Sequence, residues 1–147
     1  MCFSSLLRTS APSSVLIIRL MVGGVFLSEG IQKFLFPAAV GAGRFAKIGL
    51  PSSEILGPMV GGFEIVCGLL VLLGLFTRLA VIPLLVIMGV AIWTTKVPIF
   101  VKSGFWKMAH DSRNDYCMLL GSLFLFIVGA GLLSLDARIF RRKPVKG

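Results

Sequence analysis

Apolar positions along this chain do not alternate with polar ones; they gather in long blocks separated by short polar breaks. A hydrocarbon core of about 30 Å takes around 20 helical residues to cross. Four stretches meet or approach that length, at 14–36, 56–76, 79–95 and 116–135. None shows the period-2 alternation of a barrel strand, and an open sheet in lipid would leave backbone groups unpaired. The pattern predicts an all-α membrane protein: a bundle of four transmembrane helices forming a single membrane domain over 1–147, with a basic tail at 136–147.

The breaks say how the spans connect. Pro37, the Gly41/Gly43 pair and Gly49-Leu50-Pro51 mark a loop after the first span, with Ser52 or Ser53 as the N-cap of the next helix. Only Thr77 and Arg78 separate the second span from the third, so those two are antiparallel neighbours. The third link, 96–115, mixes Lys, Phe, Trp, Asp and Arg and is long enough to lie on the membrane surface. No second domain or internal repeat is visible. Arg8 and Arg19 ahead of the apolar run 20–27, with Ser28-Glu29-Gly30 as a small-x-small site, admit a signal-peptide reading. Residues 31–36 instead continue the apolar helix, which favours a span.

Composition narrows the class. The 147 residues are 56% hydrophobic and only 14% charged, with a mean hydropathy of +0.97, against about 45–50% apolar and roughly 25% charged in soluble domains. A soluble globule, disorder, a collagen and a secreted disulfide scaffold are excluded. Charge sets the expected orientation, because Lys and Arg mark the cytoplasmic side. Arg8, Arg19, Arg78, Arg138, Arg141, Arg142, Lys143 and Lys146 fall on the terminal side, and Lys33, Arg44, Lys47, Lys96, Lys102, Lys107 and Arg113 on the other. The totals nearly balance, but the dense run after the last span favours both termini in the cytoplasm, with the tail anchored on anionic lipid headgroups. The net charge of +9 does not point to nucleic acid, since no folded aromatic-basic module accompanies it.

An ionisable residue near the bilayer centre costs about 2.5–3.5 kcal/mol on insertion scales, so a span keeps one only where something compensates. The first span carries Arg19, Glu29 and Lys33, the second carries Glu64, and Asp115 stands at the entrance of the fourth. At about 100° per residue, Arg19, Gly23, Phe26, Gly30 and Lys33 share a sector of about 80°, with Glu29 about 40° outside it. Glu29 and Lys33 have the spacing and order of a helical ion pair. On the second span Gly57, Gly61, Glu64 and Gly68 lie within about 60° of one another, so that face should touch another helix closely. Glu29 and Glu64 lie about 10 and 12 Å below the outer ends of their spans. These placements predict a polar cluster of Glu29, Lys33 and Glu64 in the outer half of the bundle, with Asp115 and Tyr116 above it at its mouth. Arg19 lies nearer the inner end, where it can snorkel. The cluster either holds the helices in register or serves a polar ligand head, a proton or a quinone carbonyl.

The remaining chemistry-bearing residues are sparse. Cys67 lies about 16 Å into its span and Cys117 about 2 Å into another, too far apart for the Cα separation of about 7 Å that a disulfide needs; Cys2 stands alone near the start. His110 is the only histidine, so no heme or iron-sulfur ligand set exists. His110 with Asp111 and Asp115 makes a weak metal or acid-base candidate on a surface link, and no metal is expected. Trp93, Trp106 and Tyr116 sit near span ends, as an aromatic belt does.

With these residues in place, the chain resembles the DoxX family of small four-helix membrane proteins from Val15 to about Asp136. The resemblance rests on Arg19-Leu20, Gly30-Ile31-Gln32-Lys33-Phe34, Gly49-Leu50-Pro51, Glu64 with Gly68 and Gly74, Thr77-Arg78, Asp115-Tyr116 and Ser134-Leu135-Asp136. Family members often have His where this chain has Glu29, a change that a proton-handling role survives and an imidazole-ligand role does not. The resemblance implies a bacterial inner-membrane component of an oxidoreductase system, since some relatives belong to a thiosulfate:quinone oxidoreductase and others accompany sulfur-handling and oxidative-defence proteins. Quinone is then expected as a diffusible substrate, with no bound cofactor evident, and a membrane or soluble oxidoreductase as partner. The competing expectation is a non-catalytic assembly protein whose glycine face and 96–115 link bind another membrane protein. Solute transport through a homo-oligomer is a third.

Overall fold

The computed structural model of the chain describes residues 11–139. Its elements, all helical, are α1 (Val15–Leu35), α2 (Ala42–Lys47), α3 (Ser53–Leu73), α4 (Thr77–Asp111), α5 (Arg113–Val128) and α6 (Leu135–Ile139). Cys2, Arg8 and the basic tail beyond Ile139 lie outside the described residues. Helices α1, α3 and α4 are long and apolar enough to cross a membrane. With 16 residues, α5 measures about 24 Å, short of a core of about 30 Å. The described residues are therefore all-helical with three such helices, where the sequence pattern predicts four.

The glycine stripes bring α1 and α3 together. A Cβ built on Gly30 would stand 2.7 Å from the Gly61 carbonyl oxygen, and one on Gly68 would stand 3.0 Å from the Gly23 carbonyl oxygen. Gly23 thus faces Gly68 and Gly30 faces Gly61, which makes the two helices antiparallel with their backbones in near contact. In lipid this closeness is the main source of attraction, because apolar side chains gain nothing by leaving one hydrocarbon surface for another. Around the contact, Val22, Phe26, Cys67 and Val71 join Val81, Leu84, Met88, Met118 and Leu125 in one core, while Ile17, Leu20, Val66, Val86 and Ile127 face outward as lipid-exposed residues do.

Helix termini meet at the end of the bundle where α1 begins. Arg19, expected to snorkel, is only 2% exposed. Its guanidinium donates to the carbonyls of Val71 at 2.9 Å and Leu72 in the last turn of α3, and to those of Ala130 at 3.2 Å and Leu133 beyond α5. The last carbonyls of a helix have no partner within it, and the fixed fork of an arginine suits several of them at once. Gly74 turns the chain after α3 at φ 67°, and a Cβ there would stand 2.6 Å from Arg19 Nη2. Arg78 Nη2 likewise donates to the Ile127 carbonyl at 2.9 Å and the Val128 carbonyl at 3.3 Å, at the end of α5. Asp136 works in the opposite sense, accepting the backbone N–H groups of Phe76 at 2.8 Å and Thr77 at 3.1 Å where α4 starts. Ser134 caps α6 by accepting from the Ala137 N–H at 3.1 Å.

Two sequence boundaries shift for physical reasons. The apolar stretch 116–135 does not run as one helix: α5 stops at Gly129, with φ 87° and ψ −165°, and the unwound segment after it turns two carbonyls toward Arg19. Irregular backbone is tolerated at such depth only where it is satisfied by protein. The 96–115 link, expected as a surface loop, is instead largely helical: α4 continues to Asp111 across a break at Gly104, with φ 80° and ψ 177°. Before α3, Ser52 occupies the N-cap position without a capping side-chain bond.

Two outcomes follow. Gly30→Val and Gly68→Val should each cost about 1–3 kcal/mol through overpacking, read as a lower unfolding temperature in detergent, while Gly24→Ala and Gly62→Ala, which meet nothing within 4 Å, should leave it unchanged. Arg19→Met should be more severe, at about 1–3 kcal/mol for each carbonyl left without a donor, and should abolish a cooperative thermal transition.

Candidate functional site

At the other end of the bundle, the same antiparallel contact sets α1 and α3 so that charged side chains can cross it. Lys33 lies in the last turn of α1, where the helix dipole favours a cation. Glu64 is on the buried face of α3 together with Gly57, Gly61 and Gly68. Lys33 reaches Glu64 across Gly61, where a Cβ would stand 3.2 Å from the lysine Cβ; the missing side chain leaves room for the lysine stem. Lys33 Nζ donates to Glu64 Oε2 at 2.6 Å, with side chains only 8% and 5% exposed.

This pairing differs from the local one that the sequence spacing predicts. Glu29 is half-buried and makes no ion pair among the described residues, so Lys33 bonds to the neighbouring helix and not back along its own. Desolvation decides between the two carboxylates. Glu64 is the more deeply enclosed carboxylate, 4% exposed, where a charge without a partner is costly, and it takes the counter-ion, whereas Glu29 is only half-buried. Glu29 still stands near enough for its charge to act on Glu64, as does that of Arg44 on α2.

Of Asp115 and Tyr116, expected at the mouth of this cluster, Asp115 is paired with α4. Asp115 Oδ2 accepts from Lys96 Nζ at 3.0 Å, the same nitrogen donates to the Asp111 carbonyl at 2.9 Å, and Tyr116 is exposed. The structure thus brings together Lys33 and Glu64, with Glu29 beside them, and gives Asp115 a separate partner on α4. Asp111 pairs with Lys107 at 3.2 Å and His110 faces Arg113. Among the described residues, no three His, Cys, Asp or Glu side chains come together in a group able to hold a metal ion. Cys67 is buried and Cys117 exposed, both free thiols.

The arrangement leaves hydrogen-bonding capacity unused. An ammonium group has three donors, and Lys33 spends one on Glu64; the second carboxylate oxygen, Oε1, has no hydrogen-bond partner among the described residues. A donor and an acceptor therefore sit side by side in an apolar setting, a geometry that can bind a carbonyl or hydroxyl and pass a proton to it. Sequence reasoning missed Arg19, Arg78, Ser134 and Asp136 as a set. The signal was present in the order of the motifs, but their meeting at one end depends on contacts between residues far apart in the chain.

The sequence pattern of the DoxX family matches residues 14–97. Over 97% of its length the chain is 49% identical to an uncharacterized membrane protein of Mycobacterium tuberculosis, covering 91% of that protein. It is 33% identical to the Bacillus subtilis protein named "Putative oxidoreductase CatD", over 87% of this chain and 88% of that one. It is also 33% identical to an uncharacterized protein of Haemophilus influenzae, over 89% and 94% of the two chains. No solved structure matches it. A family pattern that takes in α1, α3 and most of α4, together with a membrane-protein relative matched nearly end to end, makes this chain a member of the DoxX family of membrane proteins.

Proposed function

We propose that this DoxX-family protein is the membrane component of a quinone-linked oxidoreductase system, in which the Lys33–Glu64 pair holds the polar head of the quinone. The observation that carries the reading is the open donor and acceptor capacity of a buried ion pair set between two apolar helices. A quinone is a hydrophobic molecule with two carbonyls; Lys33 donates to one of them, and Glu64 and Glu29 exchange the protons that accompany reduction. The electrons come from a reduced sulfur compound or from an oxidoreductase partner. The name carried by the Bacillus subtilis relative supports oxidoreductase chemistry.

The membrane arrangement belongs to the same reading. The chain crosses four times, in a bacterial inner membrane, with both termini cytoplasmic and the tail resting on anionic headgroups. Support for the fourth crossing comes from α5, which joins the level of Lys96 through Asp115 to the level of Arg78 through Val128. Those are the levels between which α4 runs its first 20 residues. The alternative, a non-catalytic assembly protein, loses one of its expected surfaces, because α1 and α2 of the same chain cover the glycine face of α3.

The test is binding of a quinone analogue to the protein in nanodiscs. Wild type should bind saturably, and Glu64→Gln and Lys33→Ala should each weaken binding by about tenfold or more, the equivalent of about 1.4 kcal/mol, while Cys117→Ser leaves it intact. Absence of binding by folded wild type would remove the quinone reading and favour assembly.

A further inference from the structure

Beyond Lys96 the chain makes an excursion that the core does not use. Residues 97–103 continue α4 outward, Gly104 breaks the helix, and 105–111 return. Lys96 closes the base by bonding the Asp111 carbonyl and the Asp115 carboxylate with one ammonium group. The excursion is therefore a helical hairpin clipped at its neck. Its outer surface is unusually apolar for a polar link: Trp106 is 83% exposed and Phe105 54%, in edge-to-face contact at 5.3 Å, with Phe100 and Val101 also exposed. Lys102 and Lys107 are cations beside them, both exposed, and Lys107, 58% exposed in its side chain, also reaches Asp111 at 3.2 Å with one of its three donors.

Reach limits what can cover this surface. The first 20 residues of α4 traverse about 30 Å, which puts Lys96 where the helix leaves the hydrocarbon. The outward arm 97–103 adds about 10 Å when upright and less when tilted. A headgroup layer is about 5–8 Å deep on each face, so a hairpin clipped at its base keeps its tip inside that layer when tilted and no more than about 5 Å beyond it when upright. Aromatic rings with a polar edge settle there, and lysines on long stems place their charge among phosphates while their methylenes stay in the apolar zone.

We infer that the 97–111 hairpin is a membrane-interface anchor that seats Phe105 and Trp106 in the headgroup layer and binds anionic phospholipid through Lys102 and Lys107. The inference is independent of any quinone chemistry. It gives the apolar tip a lipid occupant, and it fixes the height and tilt of α4 at the face of the bilayer where the Lys33–Glu64 pair also lies.

Trp93→Phe leaves Trp106 as the single tryptophan, and the full chain is reconstituted in phosphatidylcholine vesicles with and without phosphatidylglycerol. The anchor predicts blue-shifted Trp106 emission, strong quenching by lipids brominated near the glycerol end of the acyl chain, and protection from aqueous iodide. The blue shift should grow with phosphatidylglycerol, and Lys102→Ser with Lys107→Ser should remove that difference. Free quenching by iodide with none by brominated lipid would overturn the inference and place the tip in water as a protein-docking surface. Protection from both quenchers would overturn it in favour of contact between copies. Lipid quenching without any effect of phosphatidylglycerol would overturn the headgroup assignment to Lys102 and Lys107. Unchanged circular dichroism in each variant shows that the readings come from folded protein.

Discussion

The close approach of α1 and α3 at their glycines is the constraint on which the rest depends. Gly23 against Gly68 and Gly30 against Gly61 repeat at the same spacing on both helices, so one register satisfies both contacts and no neighbouring register does. That register has consequences at each end. It places Arg19 under the last carbonyls of α3, and it lets the stem of Lys33 pass over Gly61 to Glu64. A side chain at either glycine pair would separate the helices and lengthen both sets of contacts together.

The two ends use charge differently. Where α1 begins, the charged side chains bond to backbone groups at helix termini: Arg19 and Arg78 to carbonyls, Asp136 to N–H groups. Charge there completes the backbone accounting that a low-dielectric medium enforces. At the opposite end, charge meets charge. Lys33 and Glu64 satisfy one bond each and keep further capacity, with Glu29 near them and carrying no ion-pair partner among the described residues. A pair whose sole role was to fix register would be expected to use its polar atoms fully, because unmet capacity in an apolar setting carries a cost without a return.

Periodicity made much of this legible. Lengths of apolar runs located α1, α3 and the first part of α4, and the 100° rule placed Gly57, Gly61, Glu64 and Gly68 on one contact face. What stayed hidden was non-local. Arg19 looked like a snorkelling residue because its acceptors lie at positions 71, 72, 130 and 133, which no local window joins. Glu29 looked like the partner of Lys33 because helical spacing favours it, yet burial makes Glu64 the carboxylate in greater need of a cation. The break at Gly129 was masked because hydropathy treats a glycine between apolar residues as part of the run. The helix across 97–111 was masked for the converse reason, since mixed polarity reads as a loop even when the backbone stays helical.

A role of the Lys33–Glu64 pair toward a ligand is separated from its role in the fold by the charge-swapped double variant Lys33→Glu with Glu64→Lys. The measurement is unfolding temperature and quinone-analogue affinity of that variant beside each single substitution. With a ligand at the pair, the swap recovers most of the stability lost in the single variants while binding stays lost, because donor and acceptor have exchanged places relative to the ligand. Recovery of both together, or binding untouched throughout, would contradict the ligand role and leave the pair as a register device alone.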